Sequence, residues 1–153
     1  MEIIRFSVCD INKKWIDKIE NCDWDAAKLL AELLRDHKRL EEALGCNGEI
    51  FIMKHQDELV AFATLTQREC IYDDSLYPWV GFVFTVPKYR GHRYSEHVIE
   101  YVCQRAKNRK DKVVYIATEH AGGLYEKYGF IYKEDRTDVF GAVNQVYYKE
   151  LTK

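Results

Sequence analysis

The run 79–86 (WVGFVFTV) constrains the fold more than any other part of the chain, because nearly every position in it is apolar. A strand with one face in water alternates apolar and polar residues, whereas a strand covered on both faces does not. The run therefore predicts the central strand of a sheet that is covered on both sides. Pro87 ends the strand, because proline has no N–H to donate to a ladder.

The remaining elements predict an α/β (α+β) fold with a mixed central sheet flanked by helices. From periodicity and turn signals, strands are expected at 2–8, 49–55, 59–67, 79–86, 113–118, 130–134 and 143–150. Helices are expected after Asp10, as one longer helix from Asp23 or Asp25 to Gly45, over 94–107 and over 121–129. The polar turn at 56–58 predicts an antiparallel hairpin, and the strand–helix–strand passage between 79 and 118 predicts a crossover.

Length and composition predict a single folded domain over residues 1–153. Of the 153 residues, 47% are hydrophobic and 14% are aromatic, too many for a disordered chain. A chain of this length buries enough surface to fold without disulfide or metal staples. Its five cysteines are spread along the sequence with no CxxC pair, so we expect buried thiols in a reducing compartment and no metal site.

Charge and hydropathy exclude two classes of partner. The formal net charge is −2, which excludes an overall basic nucleic-acid binder. The first residues lack the apolar run of a signal peptide, and no stretch approaches the roughly 18 apolar residues of a membrane span. We therefore expect a cytoplasmic protein with no membrane partner.

The segment 87–95 (PKYRGHRYS) joins the central strand directly to a helix and carries Lys88, Arg90 and Arg93. The first turn of a helix has unpaired N–H groups, and its dipole favours negative charge. The segment therefore indicates a phosphate or pyrophosphate site, although a solvated loop with incidental charge fits the spacing as well. Neither GxxxxGK[ST] nor GxGxxG is present.

Two motifs, PKYRGHRYS at 87–95 and LYEKYGF at 124–130, together resemble those of the GNAT family of N-acetyltransferases. PKYRGHRYS is similar to the family's acyl-CoA loop, (Q/R)xxGx(G/A), with Arg90 in the first position, and 124–130 (LYEKYGF) is similar to its LYxxxGF signature. The element order is also the family's, so the resemblance covers essentially the full chain, most strongly 79–134. It implies a GNAT-like acyl-CoA N-acyltransferase fold and an enzyme that moves the acetyl group of acetyl-CoA directly to a primary amine of a small molecule or protein.

The resemblance also implies where acetyl-CoA, the co-substrate, is held. Backbone N–H groups around Phe84 and Val86 would pair with the pantetheine arm, and those from Gly91 to Ser95 would hold the pyrophosphate. The implied binding residues are Phe84, Thr85, Val86, Arg90, Gly91, His92, Arg93, Tyr94, Ser95 and Thr118. Arg93 and Ser95 stand where the family usually has small residues, so Arg93 either adds a phosphate contact or crowds the loop.

Tyr125 falls on the tyrosine of LYxxxGF, which the family uses as general acid. A phenol with a pKa of about 10 is protonated at neutral pH and can donate to a departing thiolate. A tyrosine that only packs under the CoA arm is the alternative, and Tyr128 could substitute for it. For the general base, Glu119 at the end of strand 113–118 is the first candidate, ahead of Asp74.

Two alternatives to the transferase stay open at this point. A catalytically silent acyl-CoA-binding sensor of the same fold is the second function, and Arg93 is its support. A nucleic-acid adaptor using the basic helix end 105–112 is a third, but no aromatic platform is interleaved there, so no nucleic-acid partner is expected. The amine acceptor is not identified, and a homodimer through a paired edge strand is possible.

Overall fold

A computed structural model describes residues 1–120 and 122–151 of the chain. Within these residues, seven strands, five α-helices and a short 3-10 helix (Pro87–Tyr89) follow one another along the sequence. The strands are β1 (Glu2–Ser7), β2 (Glu49–His55), β3 (Glu58–Thr66), β4 (Trp79–Thr85), β5 (Val113–Thr118), β6 (Ile131–Thr137) and β7 (Val143–Glu150). The helices are α1 (Lys13–Glu20), α2 (Asp25–Arg35), α3 (His37–Leu44), α4 (Tyr94–Asn108) and α5 (Leu124–Lys127).

The strands form one mixed sheet in the order β1-β2-β3-β4-β5-β7-β6. Neighbouring strands are antiparallel except β4 and β5, which are parallel and are joined through α4. The strands β2 and β3 form the expected hairpin around Gln56 and Asp57. The prediction of an α/β fold with a mixed central sheet is therefore confirmed.

Apolar side chains cover both faces of the sheet, as the run 79–86 predicts. On one face, Ile19 and Leu30 of the first helices pack in a buried cluster with inward residues of β2 and β3. On the other face, Val98 and Val102 of α4 belong to a second buried cluster. Full burial of each such side chain contributes about 1.5–3 kcal/mol. The two layers hold β4 between them, and Trp79 at its start is fully buried.

The prediction of a single long helix before Gly45 is wrong, because the structure has two helices there, which are separated at Asp36. This residue has an extended φ of −129°, and its carboxylate accepts a hydrogen bond from the Arg39 N–H at 3.3 Å. An aspartate that caps a new helix competes with continuation of the old one. Gly45, which has a φ of 79°, ends α3, and a helix end at this glycine was expected.

The helix expected over 121–129 is shorter than predicted. Gly122 and Gly123 have left-handed φ values of 53° and 80°, so α5 begins only at Leu124. Ala121, which was included in the expected helix, lies outside the described residues. Within the part of the chain that the structure describes, no helix is both long and apolar enough to cross a membrane.

The strands β4 and β5 separate soon after they pair, and the gap between them positions the site. The structure pairs them at Trp79 and Tyr115. On its other side, β4 pairs with β3 through a bulge, where Phe82 has a φ of 47°. Positive φ is unfavourable for a bulky residue by about 1–2 kcal/mol, so the surrounding packing must hold the bulge. A bulge bends its strand, which fits the divergence of β4 from β5.

Candidate active site

Two cavities lie at the gap between β4 and β5. The first, the basic cleft, has a volume of about 480 Å³, and its lining includes Thr85, Arg90, Gly91, Arg93, Tyr94, Ser95 and Tyr128. The second, the acidic cavity, has a volume of about 380 Å³, and its lining includes Glu69, Glu119, Asp138, Trp24, Phe82 and Phe140. Val83 and Tyr125 line both, so the two cavities meet at these residues.

The basic cleft includes the first turn of α4. Arg93 precedes this turn with a left-handed φ of 61°, and Gly91 has a φ of 90° with open space where a Cβ would lie. The first N–H groups of a helix have no partner within it, and the helix dipole favours an anion there. The backbone around Tyr94 and Ser95 is therefore arranged so that it can hold a phosphate.

Two side chains connect this turn to the end of β4. Arg90 donates its Nε hydrogen to the Thr85 carbonyl at 3.0 Å, and its guanidinium carbon lies 5.3 Å from the centre of the Phe84 ring. The Thr85 and Ser95 hydroxyls share a hydrogen bond of 2.6 Å. These contacts fix the cation of Arg90 beside the cleft.

Arg93 does not close the basic cleft. Its side chain is 73% exposed and forms an ion pair with Glu96 at 3.2 Å. The side chain therefore lines the cleft without filling it, and its charge is paired with Glu96.

The backbone groups that β4 directs toward the gap are those of Val83 and Thr85. Val86 donates its N–H to the Val60 carbonyl of β3 at 2.9 Å. Successive strand residues direct their N–H groups to opposite sides, so Phe84 points toward β3 like Val86, and Thr85 points toward the gap. The expected use of the Phe84 and Val86 N–H groups is corrected to Val83 and Thr85, although Phe84 itself lines the cleft.

Tyr125 is positioned by the turn that follows α5. The Phe130 N–H donates to the Tyr125 carbonyl at 2.9 Å, and the Gly129 N–H donates to the Glu126 carbonyl at 3.1 Å. These are the two hydrogen bonds of a Schellman helix end, which needs the left-handed φ of 90° that Gly129 adopts. Phe130 is buried and anchors the turn in the core.

The ring of Tyr125 packs among the rings of Tyr128, Phe130 and Tyr147, with centroids at 6.2, 6.2 and 6.1 Å. Burial, with a smaller contribution from Tyr128, raises the pKa of Tyr125 to about 12. The phenol therefore keeps its proton throughout the neutral range. A proton donor for a thiolate needs this property.

The acidic cavity has the character of a cation site. Its three carboxylates come from separate segments: Glu69 follows β3, Glu119 follows β5 and Asp138 follows β6. No lysine or arginine lines it among the residues described here, and His120 lies at its edge. The negative charge of this cavity contrasts with the cations of the basic cleft on the other side of Tyr125.

Glu69 is a candidate that the sequence analysis did not single out. Its side chain lies against Gly81 of β4, and a Cβ at that position would stand 2.5 Å from Oε1. Burial raises the pKa of Glu69, the Cys70 N–H that donates to Oε2 opposes this, and nearby Asp138 raises it further. Gly81, a glycine inside a bulky apolar run, was the available signal, because such a glycine often marks a close approach.

Thr118 and His92 lie elsewhere than expected, whereas Glu119 lies at the end of β5 as predicted. Thr118 lines the acidic cavity instead of the basic cleft, and its hydroxyl accepts from the His120 N–H at 3.2 Å. Glu119 lines the same cavity and is exposed. His92 is exposed outside the lining of the basic cleft, with its ring 5.3 Å from the ring of Tyr94.

Asp74 and its neighbour Asp73 lie outside the lining of both cavities. Asp74 pairs with Arg68 at 3.0 Å, and Asp73 pairs with Arg136 at 3.2 Å. Their carboxylates are thus occupied by cations, which does not suit a role as general base.

The basic end of α4 is partly neutralised. Arg105 forms a bidentate pair with Glu49 at 3.0 and 2.9 Å, and Arg109 approaches the same carboxylate at 3.4 Å. This carboxylate offsets charge that a nucleic-acid adaptor would use for phosphate contacts.

Comparison with known proteins identifies the family. A model of the acetyltransferase (GNAT) family matches residues 16–130, and the chain belongs to that family. No curated protein sequence matches the chain significantly. The resemblance based on the two motifs is therefore confirmed.

Solved structures of low sequence identity share the fold over the whole chain. An aminoglycoside 6'-N-acetyltransferase complexed with coenzyme A has a TM-score of 0.76 at 14% identity, covering 100% of this chain and 98% of that one. The aminoglycoside 6'-N-acetyltransferase from Enterococcus faecium has a TM-score of 0.74 at 13% identity, with the same coverage. A GNAT family acetyltransferase from Elizabethkingia anophelis with acetyl-CoA bound has a TM-score of 0.67 at 17% identity, covering 97% of each chain.

Proposed function

We propose that the protein moves the acetyl group of acetyl-CoA directly to a primary amine, with residues 1–153 acting as one acetyltransferase domain. The observation that carries this proposal is that the basic cleft and the acidic cavity meet at Val83 and Tyr125. An anionic co-substrate in the cleft and a cationic amine in the cavity would bring their reacting ends to the same place. Holding both reactants there supplies the proximity that direct transfer needs.

The residues of the basic cleft fit acetyl-CoA, which supplies the activated acyl group when bound. The first turn of α4 offers N–H donors for the pyrophosphate, and Arg90 and Arg93 add charge-assisted contacts. Val83 and Thr85 offer backbone groups to the amides of the pantetheine arm. This assignment keeps the predicted loop and moves the strand contacts by one residue.

Tyr125 is the proposed general acid. Acetyl transfer forms a C–N bond and breaks a C–S bond, and the departing thiolate takes up a proton. The Tyr125 hydroxyl supplies this proton, because it lies where the two cavities meet and its raised pKa of about 12 keeps it protonated beforehand. In this role Tyr125 contributes to turnover and little to the binding of acetyl-CoA.

The direct test measures CoA release from acetyl-CoA with a thiol reagent, in the presence of a panel of primary amines. We expect amine-dependent release, and we expect Tyr125→Phe to lower kcat by about 100-fold or more. Isothermal titration should show nearly unchanged acetyl-CoA affinity in this variant. A wild-type rate that stays at background with every amine would refute the enzymatic proposal, and an unchanged kcat in the variant would remove Tyr125 from the acid role.

An acyl-CoA sensor is the second candidate, and Arg93 is the observation that favours it. A non-glycine residue at a left-handed position in the phosphate loop departs from the family's pattern. A sensor would bind acetyl-CoA without releasing CoA to any amine. We prefer the transferase, because the exposed Arg93 side chain leaves the cleft open.

A further inference from the structure

The Glu69 carboxylate of the acidic cavity has no countercharge among the described residues. Among residues 1–120 and 122–151, no lysine, arginine or histidine forms an ion pair with Glu69, although burial is the largest influence on its pKa. Glu69 is half-buried, and a carboxylate partly withdrawn from water without a cation is unfavourable. Such a group is either kept neutral by its surroundings or completed by a cation from outside.

The other acids of the cavity are less available than Glu69. The Asp138 carboxylate accepts hydrogen bonds from the Phe140 N–H at 2.8 Å, the Ala142 N–H at 2.9 Å and the Asn144 side chain at 2.8 Å. Asp138 therefore holds the loop between β6 and β7 in place. Glu119 is exposed, so water satisfies its charge.

Gly81 provides the space that Glu69 occupies. A Cβ at position 81 would lie 2.5 Å from Oε1 and 2.9 Å from Cγ of Glu69. With no side chain at 81, the carboxylate lies directly over β4, one residue before the Phe82 bulge and two before Val83. Glu69 thus approaches the junction of the two cavities from the segment after β3.

Part of the wall of the acidic cavity is apolar. Trp24 stacks on Phe84 with ring centroids 5.1 Å apart and an interplanar angle of 8°. Phe140 lies in the loop that Asp138 holds in place, and it is 74% exposed. Its aromatic ring therefore lies at the opening of the acidic cavity. Leu29 completes this wall. An acceptor that fits here combines one cationic end with an apolar arm.

We propose that Glu69 binds the ammonium group of the acceptor and takes up its proton, and that the acceptor is a primary amine on an aryl or alkyl arm. This inference rests on the proposed transferase function and names the substrate class of the same site. The arm packs against Trp24 and Phe140, while the nitrogen lies between Glu69 and the shared Tyr125.

Each proton that moves in this reaction has a donor and an acceptor. The ammonium gives one proton to the Glu69 carboxylate, which later passes it to water. The neutral nitrogen forms the C–N bond, Tyr125 donates its proton to the departing thiolate, and the second nitrogen proton restores the phenol. The net products are the amide, the CoA thiol and one released proton.

The first experiment compares Glu69→Gln with Glu42→Gln, an exposed acid on α3 that makes the same charge change. With phenethylamine as acceptor, we expect kcat/KM to fall at least 100-fold in Glu69→Gln and to stay within threefold in the control. We also expect the acid limb of the wild-type pH profile to disappear in Glu69→Gln. A loss below threefold, or a larger loss in Glu119→Gln, would overturn the inference.

The pH profile has to be assigned among the groups that face Glu69. These are the Cys70 thiol beside it, Asp138 from the loop after β6, Glu119 and His120 from the end of β5, Tyr125 from α5 and Tyr72 from the segment before β4, all of which line a cavity with Glu69. His120→Gln separates the imidazole from the carboxylate, because only Glu69→Gln should abolish the limb. A limb that vanishes in His120→Gln and survives in Glu69→Gln would contradict the proposal.

The apolar arm is tested with two amines of equal charge, phenethylamine and ethanolamine. We expect the wild type to favour phenethylamine at least tenfold in kcat/KM, and Phe140→Ala to reduce that ratio. A preference for ethanolamine or for a polyhydroxylated amine would overturn the assigned substrate class.

A binding measurement separates loss of the ammonium site from loss of transferase activity. Binding of phenethylamine is measured by calorimetry with CoA present, where no acetyl group can be transferred. Binding that is lost in Glu69→Gln supports the ammonium site even if turnover is absent. Turnover with an amine panel that Glu69→Gln leaves intact would retain the transferase and refute the Glu69 site.

Discussion

Replacing Gly81 with alanine tests the proposed site through a residue that itself has no side chain. The new Cβ would stand 2.5 Å from Oε1, 2.9 Å from Cγ and 3.0 Å from Cδ of Glu69. Carbon and oxygen atoms separate to about 3.5 Å in ordinary packing. The Glu69 carboxylate must therefore move by about 1 Å, which is enough to cost a positioned group about 100-fold in rate.

The Gly81→Ala substitution should lower activity without lowering stability. Alanine in a strand is more stable than glycine by about 0.5–1 kcal/mol, and displacement of Glu69 relieves a carboxylate without a countercharge. We therefore expect the free energy of unfolding of Gly81→Ala to be unchanged or higher, while kcat/KM falls about 100-fold, equivalent to about 2.7 kcal/mol. Urea denaturation and steady-state kinetics on the same preparation measure both quantities.

Two comparisons make this experiment decisive. Gly48→Ala creates crowding at 3.2 Å against Thr66 and Val8, away from the lining of both cavities, and should leave kcat/KM unchanged. The double variant Gly81→Ala/Glu69→Gln should be no slower than Glu69→Gln, because both changes remove one function. Full activity in Gly81→Ala, or a fully additive loss in the double variant, would show that the position of Glu69 does not control the rate.

Three further predictions concern other parts of the structure. Tyr125→Phe should lower kcat about 100-fold, and wild-type activity should show no alkaline loss from this group below about pH 10, because its pKa is raised to about 12; rate profiles to pH 10 check this. Arg90→Ala should weaken acetyl-CoA binding about tenfold by calorimetry, with Arg90→Lys intermediate, and unchanged affinity would exclude a phosphate contact. Asp36→Ala should lower the free energy of unfolding by about 1 kcal/mol in urea, because it removes the cap of α3, whereas exposed Asp10→Ala should not.

The architecture was predictable where the signal is local and strong. The apolar run 79–86 identifies a covered strand, and Gly129 marks the end of a helix, because few other residues adopt its left-handed conformation. The break at Asp36 was missed because the leucines on either side keep helical spacing. At that point a short-range hydrogen bond from the Arg39 N–H to the Asp36 carboxylate outweighs the periodicity, and spacing alone does not show it.

The candidate site was predictable in its motifs and not in its geometry. The loop from Arg90 to Ser95 and the tyrosine at 125 are marked by sequence, and the structure brings both to one cleft. The direction of the β4 N–H groups depends on the register with β3 and on the bulge at Phe82. A phenylalanine in the sequence does not indicate the positive φ that this bulge requires. Glu69 approaches Gly81 across 12 positions of the chain, a contact that only the pairing of β3 with β4 creates.

The distribution of charge explains how a nearly neutral chain would select two ligands of opposite sign. Although the formal net charge is only −2, the protein has a basic cleft and an acidic cavity that meet at Tyr125. Under the proposed function, Glu69 and Asp138 would repel an anionic co-substrate and Arg90 and Arg93 would repel a cationic acceptor, so each cavity would reject the ligand of the other. The uncharged Tyr125 at the junction, whose raised pKa keeps it neutral, does not disturb either preference.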